Sequence, residues 1–266
     1  MVSLSDNLAR VRQRIEQVCR RCGRHPSSIT LVGVTKGVSP EAIREAIALG
    51  LSDLGENRVQ EARQKQDALG SRLKAQGTGF EPPASSLQPV RWHLIGHLQR
   101  NKAKDAVELF EAIHSVDSLP LVEELEKARG SRLEAQGKSR DKVLEVFIQV
   151  NVSGEKTKFG CTPEEASVLA HAIIERPQLK LRGLMTIAPF SEVPDAARPH
   201  FRRLREIRDG VAAALSLQPS ALSLSMGMSH DFEVAIEEGA DIVRIGTAIF
   251  GARGTRNSEF GIRSSE

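Results

Sequence analysis

The sequence predicts a single (β/α)8 TIM barrel of the α/β class, with one extra helix at its N-terminus. Three observations carry that prediction. Short β-rich runs alternate with helical patterns along the chain, about eight times over, and such alternation implies a parallel sheet. Several runs, Val146-Phe-Ile-Gln-Val150 among them, are almost wholly apolar, as strands covered on both faces should be. The length of 266 residues matches the roughly 250 of a lone barrel of this kind, which favours ring closure over an open doubly wound sheet.

The elements follow in order. Leu4, Leu8, Val11, Ile15, Val18 and Cys22 recur at steps of four and three, one stripe of a helix, which places Cys22 on its core side. After a turn at Gly23 to Pro26, the segment Ile29 to Thr35 reads as the first strand. Ser39-Pro40-Glu41 opens a helix, with an N-cap serine and proline at the first helical position. Further strands are expected near Asp53 to Glu56, Trp92 to Gly96, Ala112 to Val116, Val143 to Val150, Leu181 to Thr186, Leu222 to Met226 and Asp241 to Ile245. One intervening helix is opened by the capping box Thr162-Pro163-Glu164-Glu165. Two stretches, 70–89 and 129–141, are polar or rich in Gly, Pro and Ser, and each follows a helix and precedes a strand. They read as surface insertions at the N-terminal face of the barrel, away from the active end. Gly70-Ser-Arg-Leu-Lys-Ala-Gln-Gly77 is nearly echoed by Gly130-Ser-Arg-Leu-Glu-Ala-Gln-Gly137, which similar helix ends explain without a repeat architecture. The domain is expected to span 1–251, with 252–266 as a flexible tail.

Composition excludes several classes. No apolar run approaches the roughly 20 residues that cross a bilayer, and the N-terminal segment is amphipathic, unlike a secretory leader, so a cytoplasmic location is expected. The net charge of +3 is mild, and the arginines of Arg10 to Arg24 and Arg202 to Arg205 are spaced as solvated helix faces, not as a nucleic-acid surface. Cys19 and Cys22 form a CxxC with only His25 nearby, too few ligands for a metal centre, and three cysteines make no disulfide framework.

In a barrel, chemistry gathers at the C-terminal ends of the strands. Those ends carry Lys36, Glu56-Asn57, His93 with His97, Ser115, Asn151, Thr186, Ser225 to Ser229, and Arg244 to Thr247. Judged by its strand alone, Lys36 is a surface lysine. A lysine partly desolvated at a barrel mouth is also suited to Schiff-base formation. Ser225-Met-Gly227-Met-Ser229 and Gly246-Thr247 end the last two strands, where glycines admit an anion close to backbone N–H groups and hydroxyls add donors. Loops after strands seven and eight are the recurrent phosphate site of this architecture. Arg244 lies two residues before Gly246 and so points into the same mouth, where it is either a structural arginine or the partner of a pyridine nitrogen.

These segments resemble the pyridoxal phosphate homeostasis proteins (YggS/PROSC type). The resemblance rests on Val34-Thr-Lys36, Gly55-Glu-Asn-Arg-Val-Gln-Glu61, Trp92-His-Leu-Ile-Gly96 with Leu98-Gln-Arg-Asn-Lys102, and Leu181-Arg-Gly-Leu-Met185. It is strongest in Leu224-Ser-Met-Gly-Met-Ser-His-Asp-Phe-Glu233 and Val243-Arg-Ile-Gly-Thr-Ala-Ile-Phe-Gly251. It implies the alanine-racemase-like barrel of fold-type III pyridoxal 5′-phosphate (PLP) proteins, with Lys36 as the PLP lysine. It further implies phosphate ligands around Ser225, Gly227, Gly246 and Thr247, Arg244 at the ring nitrogen, and Asn57 and His93 near the cofactor. The stretch Thr35-Lys36-Gly37-Val38 departs from the family's more usual Ser-Lys-Thr-Lys by losing a second cation.

The expected role is that of a PLP-binding protein that buffers the cofactor or delivers it to apo PLP-dependent enzymes, and the chain is expected to be a monomer. A two-base alanine racemase sets a tyrosine opposite its lysine, and this chain contains no tyrosine. No catalytic residue is therefore assigned, and inefficient turnover is expected. The alternative is a small PLP enzyme, a racemase or decarboxylase, with His93 or Cys161 as the second acid.

Overall fold

The structure, a computed structural model, describes residues 3–75, 90–135, 143–155 and 157–251. Eight parallel strands form a closed ring: β1 (Thr30–Val34), β2 (Asp53–Glu56), β3 (Arg91–Leu94), β4 (Ala112–Val116), β5 (Leu144–Gln149), β6 (Leu179–Met185), β7 (Ser223–Ser225) and β8 (Ile242–Ile245). Each strand pairs with the next, and β8 returns to β1 through the register Val32 to Arg244. All eight predicted strands are present.

The helices described are α1 (Leu4–Arg21), α2 (Pro40–Ala48), α3 (Val59–Ala75), α4 (Ala103–Leu109), α5 (Leu119–Ala135), α6 (Glu165–Ile174), α7 (Arg198–Ala214), α8 (Phe232–Glu237) and α9 (Thr247–Phe250). Ser39 caps α2 with Pro40 at its first position, as its sequence predicts. Thr162 and Glu165 make the reciprocal capping bonds, although α6 begins only at Glu165. Two helices run further than expected. α3 continues through Gly70 to Ala75 and α5 through Arg129 to Ala135, because Arg, Leu, Lys, Glu and Ala are good helix formers whatever their polarity. The echoed segments thus supply the final turns of two helices as far as Ala75 and Ala135, and the remainder of each predicted insertion, 76–89 and 136–141, lies outside the described residues, as does 252–266.

α1 is the extra N-terminal helix, opened by a capping box between Ser3 and Asp6. It packs against α2, α8 and α9, bridging the first and last βα units. Its buried stripe is Leu8, Val11, Ile15, Val18 and Cys19. Cys22 is exposed, contrary to the stripe drawn from the sequence: the helix stops at Arg21, and Cys22 is its C-cap, off the helical register. Many of the arginines expected on solvated faces are fasteners between elements. Arg24 pairs with Asp241 at 2.9 Å, and Arg198, Arg202 and Arg205 of α7 each reach Glu238 at 3.1 Å.

The main core lies between the strands and the helices. A second apolar cluster, Val32, Ala112, Phe147, Met185 and Ile242, occupies the barrel interior. Barrel interiors are usually filled by layers of branched apolar side chains. Here a line of buried polar residues, His93, His114, Ser225 and Arg244, shares that space. Among the described residues, no helix is long and apolar enough to cross a membrane, and no cluster of side chains could hold a metal ion.

Candidate functional site

Lys36 stands two residues past the end of β1, half-buried, and among the described residues nothing pairs with its ammonium. Its neighbours are tightly held. Thr35 donates its backbone N–H to Gly55 O at 2.9 Å and its hydroxyl to Glu56 Oε1 at 2.6 Å. Lys65 of α3, itself buried, donates to Thr35 O at 2.5 Å, to Glu61 Oε1 at 2.7 Å and to Glu56. Glu61 in turn accepts from Gly37 N at 2.6 Å. The peptides on both sides of Lys36 are therefore fixed to one buried ion cluster, while its side chain is left free. Burial pushes the Glu56 carboxyl up against the pull of Lys65. Burial also raises that of Glu61, but the Gly37 amide and Lys65 outweigh it and hold Glu61 low.

The ends of β7 and β8 face this point. Gly227 has φ +90°, and a Cβ there would stand 2.5 Å from Ala235 Cβ and 2.9 Å from Phe232 Cα, so only glycine fits. The loop is tightened by Met228 N donating to Asp231 Oδ1 at 2.6 Å. A Cβ on Gly246 would meet Val34 Cβ at 3.4 Å, an ordinary contact, which sets Gly246 against the end of β1 near Lys36. Gly246 N and Ala248 N both donate to Ser229 Oγ, at 3.2 and 3.3 Å, and the adjacent Thr247 is exposed. Ser229 was visible in the sequence as part of the loop. That it collects the two amides depends on the packing of β7 against β8.

Arg244 is buried with its guanidinium inside the barrel, donating to Ser225 Oγ at 2.7 Å and to Thr186 O at 2.8 Å. Burial draws its pKa down to about 10, so it remains cationic at neutral pH. Ser225 Oγ lies 2.8 Å from His114 Nδ1, His114 Nε2 lies 3.0 Å from His93 Nδ1, and His93 Nε2 lies 2.9 Å from Asp53 Oδ1. His114 stacks on Phe147 at 4.2 Å, and burial, with His93 and Arg244 nearby, holds it well below the usual imidazole range. Burial raises Asp53, but hydrogen bonds from His93 and Ser52 lower it further.

The predicted residues thus divide. Gly246, with Thr247 next to it, packs against Val34 at the end of β1, two residues before Lys36; Gly227 shapes the loop after β7, and Ser225 and Arg244 are buried in the barrel interior. Asn57, half-buried just after β2, packs its backbone on Gly96, where a Cβ would stand 2.3 Å from Asn57 O. His93, expected beside the mouth, sits lower. It faces Asp53 at the start of β2 and lines a cavity of about 610 Å³ with Thr30, Arg91, Ser223 and Ile242, the beginnings of strands at the N-terminal face. Its period-two position on β3 turns it inward, one residue below the strand's end at Leu94. His114, hydrogen-bonded to both Ser225 and His93, has no local mark in the sequence, since nothing distinguishes an inward histidine within a buried strand.

Residues 7–254 match the model of the alanine racemase N-terminal domain. A pyridoxal phosphate homeostasis protein of Aquifex aeolicus is 43% identical over 93% of this chain and 97% of its own length. The chain belongs to the pyridoxal phosphate homeostasis protein family. PipY of Synechococcus elongatus, a solved structure with PLP bound, is 33% identical with a TM-score of 0.73, covering 94% of this chain and all of the PipY chain. An alanine racemase of Corynebacterium glutamicum, 15% identical with a TM-score of 0.53, shares the fold; this chain covers 62% of it. The family's barrel thus corresponds to the described ring and to the fold-type III architecture expected from the sequence.

Proposed function

We propose that the chain binds PLP at the mouth formed by β1, β7 and β8, as a Schiff base on Lys36, and serves intracellular PLP homeostasis by buffering or delivering it. The carrying observation is Lys36 itself: a half-buried lysine with no partner among the described residues, between two anchored peptides and two residues past Val34, against which Gly246 packs. When bound, PLP supplies an aldehyde that condenses with the lysine amine. The residues present fit it. Gly246 and Ala248 amides, now turned to Ser229 Oγ, would hold the phosphate with Thr247, and Gly227 keeps the loop clear. Arg244, a cation up to about pH 10, would donate to the ring nitrogen through donors not used by Ser225 and Thr186. Ser225 and His93 then support Arg244 from below, and Asn57 borders the mouth without a role in chemistry.

Carriage in preference to turnover is supported at the two positions offered as a second acid. His93 faces the N-terminal cavity, and burial pushes the Cys161 thiol up to about 12. Three free cysteines suit the reducing cytoplasm. The test is the absorption spectrum of the protein mixed with PLP. A visible band is expected that is lost in Lys36→Ala and kept in Lys104→Ala. A band surviving in Lys36→Ala overturns the site. Exchange of amino-acid α-protons at ordinary enzyme rates, abolished by Lys36→Ala, overturns the carrier role.

A further inference from the structure

The N-terminal end of the barrel is not closed by an apolar layer, as barrel interiors usually are. Thr30 of β1, Arg91 of β3, Glu145 of β5 and Ser223 of β7 surround the cavity of about 610 Å³ instead. His93 and Phe147, each 2% exposed, form its inner wall. Arg182 reaches this space through an irregularity in β6. Val146 pairs with Leu181 but Phe147 pairs with Gly183, so Arg182 is an extra residue in the strand, a β-bulge of the kind that re-aims a side chain. Its guanidinium stands 3.4 Å from Glu145. The next residue must be glycine, because a Cβ on Gly183 would lie 1.8 Å from Ser223 O. Arg182 and Gly183 belong to the segment Leu181-Arg-Gly-Leu-Met185, which the mouth does not explain.

Hydrogen-bond donors are in surplus here. Arg91 donates to Glu145 Oε2 at 2.6 Å through Nη2, and Arg182 meets Glu145 Oε1 through Nε. Arg208, also on the cavity wall, spends Nε on Asp209 and Nη1 on Leu222 O. The other N–H groups of these three guanidiniums and the hydroxyls of Thr30 and Ser223, all half-buried, meet no acceptor among the described residues. Charge is uneven too. Arg24 is matched by Asp241 at 2.9 Å and Arg208 by Asp209 at 2.6 Å. Asp53 lies outside the cavity, taken up by His93 and Ser52. Arg91 and Arg182 share the single carboxylate of Glu145, so one of those two cations has no counter-charge of its own.

We propose that this cavity is a second ligand site, which binds the phosphate group of a phosphate monoester. A tetrahedral oxyanion accepts hydrogen bonds from every side, which suits donors arriving from β1, β3, β6 and β7. A carboxylate has two oxygens in one plane, and a single arginine fork would fill it. The phosphate lies against Arg91 and Arg182, where positive charge is in excess, and the Thr30 and Ser223 hydroxyls donate to its remaining oxygens. The volume falls within the roughly 300–1,000 Å³ of small-molecule sites, which leaves space for the organic part of an ester. The site is at the opposite end of the barrel from Lys36 and does not depend on what the mouth holds.

The test titrates the 15N-labelled protein with glycerol 3-phosphate, inorganic phosphate or sodium chloride at equal ionic strength. The arginine Nε–H signals, assigned by single substitution, report on the cavity and not on the mouth. Glycerol 3-phosphate should shift the Arg91 and Arg182 signals saturably, and more tightly than inorganic phosphate does. Arg182→Gln, read at Arg91, should weaken that binding about tenfold or more, as loss of a charge-assisted hydrogen bond does. Ser223→Ala removes one hydroxyl and no charge, and should weaken it by a smaller factor even if the arginine variant folds poorly. Shifts reproduced by sodium chloride overturn the site, as does saturable binding unchanged in both Arg182→Gln and Ser223→Ala. Inorganic phosphate binding as tightly as the ester overturns the choice of ligand. The Lys36→Ala spectrum bears only on the mouth, and its failure leaves the arginine result standing.

Discussion

Lys65 does more for Lys36 than any residue next to it in sequence, because it ties Thr35 O, Glu56 and Glu61 into one buried knot. Replacing Lys65 by Met leaves the Glu56 carboxylate buried and uncompensated, which is expected to cost about 3–5 kcal/mol in urea unfolding. The double variant with Glu56→Gln should recover part of it. The two glycines of the mouth should separate in the same assay. Gly227→Ala meets both a positive φ and a 2.5 Å overlap and should lose about 2–4 kcal/mol. Gly246→Ala has room for its methyl and should unfold like the wild type. Because alanine keeps the backbone N–H, PLP binding by Gly246→Ala should also stay close to that of the wild type. The glycines and Lys36 were legible in the sequence because local backbone demands and strand ends leave local marks. Lys65, His114 and the two amides gathered by Ser229 were not, since each acts across a gap that only the closed ring brings together.

At the scale of elements, strands were the most legible, since each buried run is short and flanked by helix signals. Helix ends were less so: α3 and α5 outrun their expected limits because polar residues such as Arg, Lys and Glu form helix as readily as loop. The fastening of one helix to the next could not be read at all. Glu238 is the clearest case, a carboxylate nearly closed off from solvent that gathers Arg198 and Arg202 at 3.1 Å and Arg205 at 3.1 Å. Burial raises its pKa, but the guanidiniums overcome that and leave it lowered below 4.5. A lowered carboxylate stabilises the fold above its ordinary pKa and loses that contribution as pH falls through its folded value. Glu238→Gln should therefore cost about 2 kcal/mol at neutral pH, in proportion to a hydrogen bond to a charged group. The gap to wild type should close as denaturation is repeated below pH 4.5.

At the scale of the molecule, the ring closes only where β8 meets β1, through pairs such as Val32 with Arg244 and Gly33 with Ile245. Lys36 and Gly246 are therefore neighbours in space at nearly opposite ends of the chain, and pairings so distant in sequence form late because of the loop entropy they must overcome. The mouth has no partial version: an arc of six or seven strands has a lysine or a set of amides, never both. Colour from bound PLP should accordingly appear after far-UV circular dichroism has regained most of its amplitude during refolding, and a simultaneous rise would show that ring closure comes early. The ligand would then act as a seal on a completed hoop, drawing its free energy wholly from the finished state and keeping the first and last strands from parting.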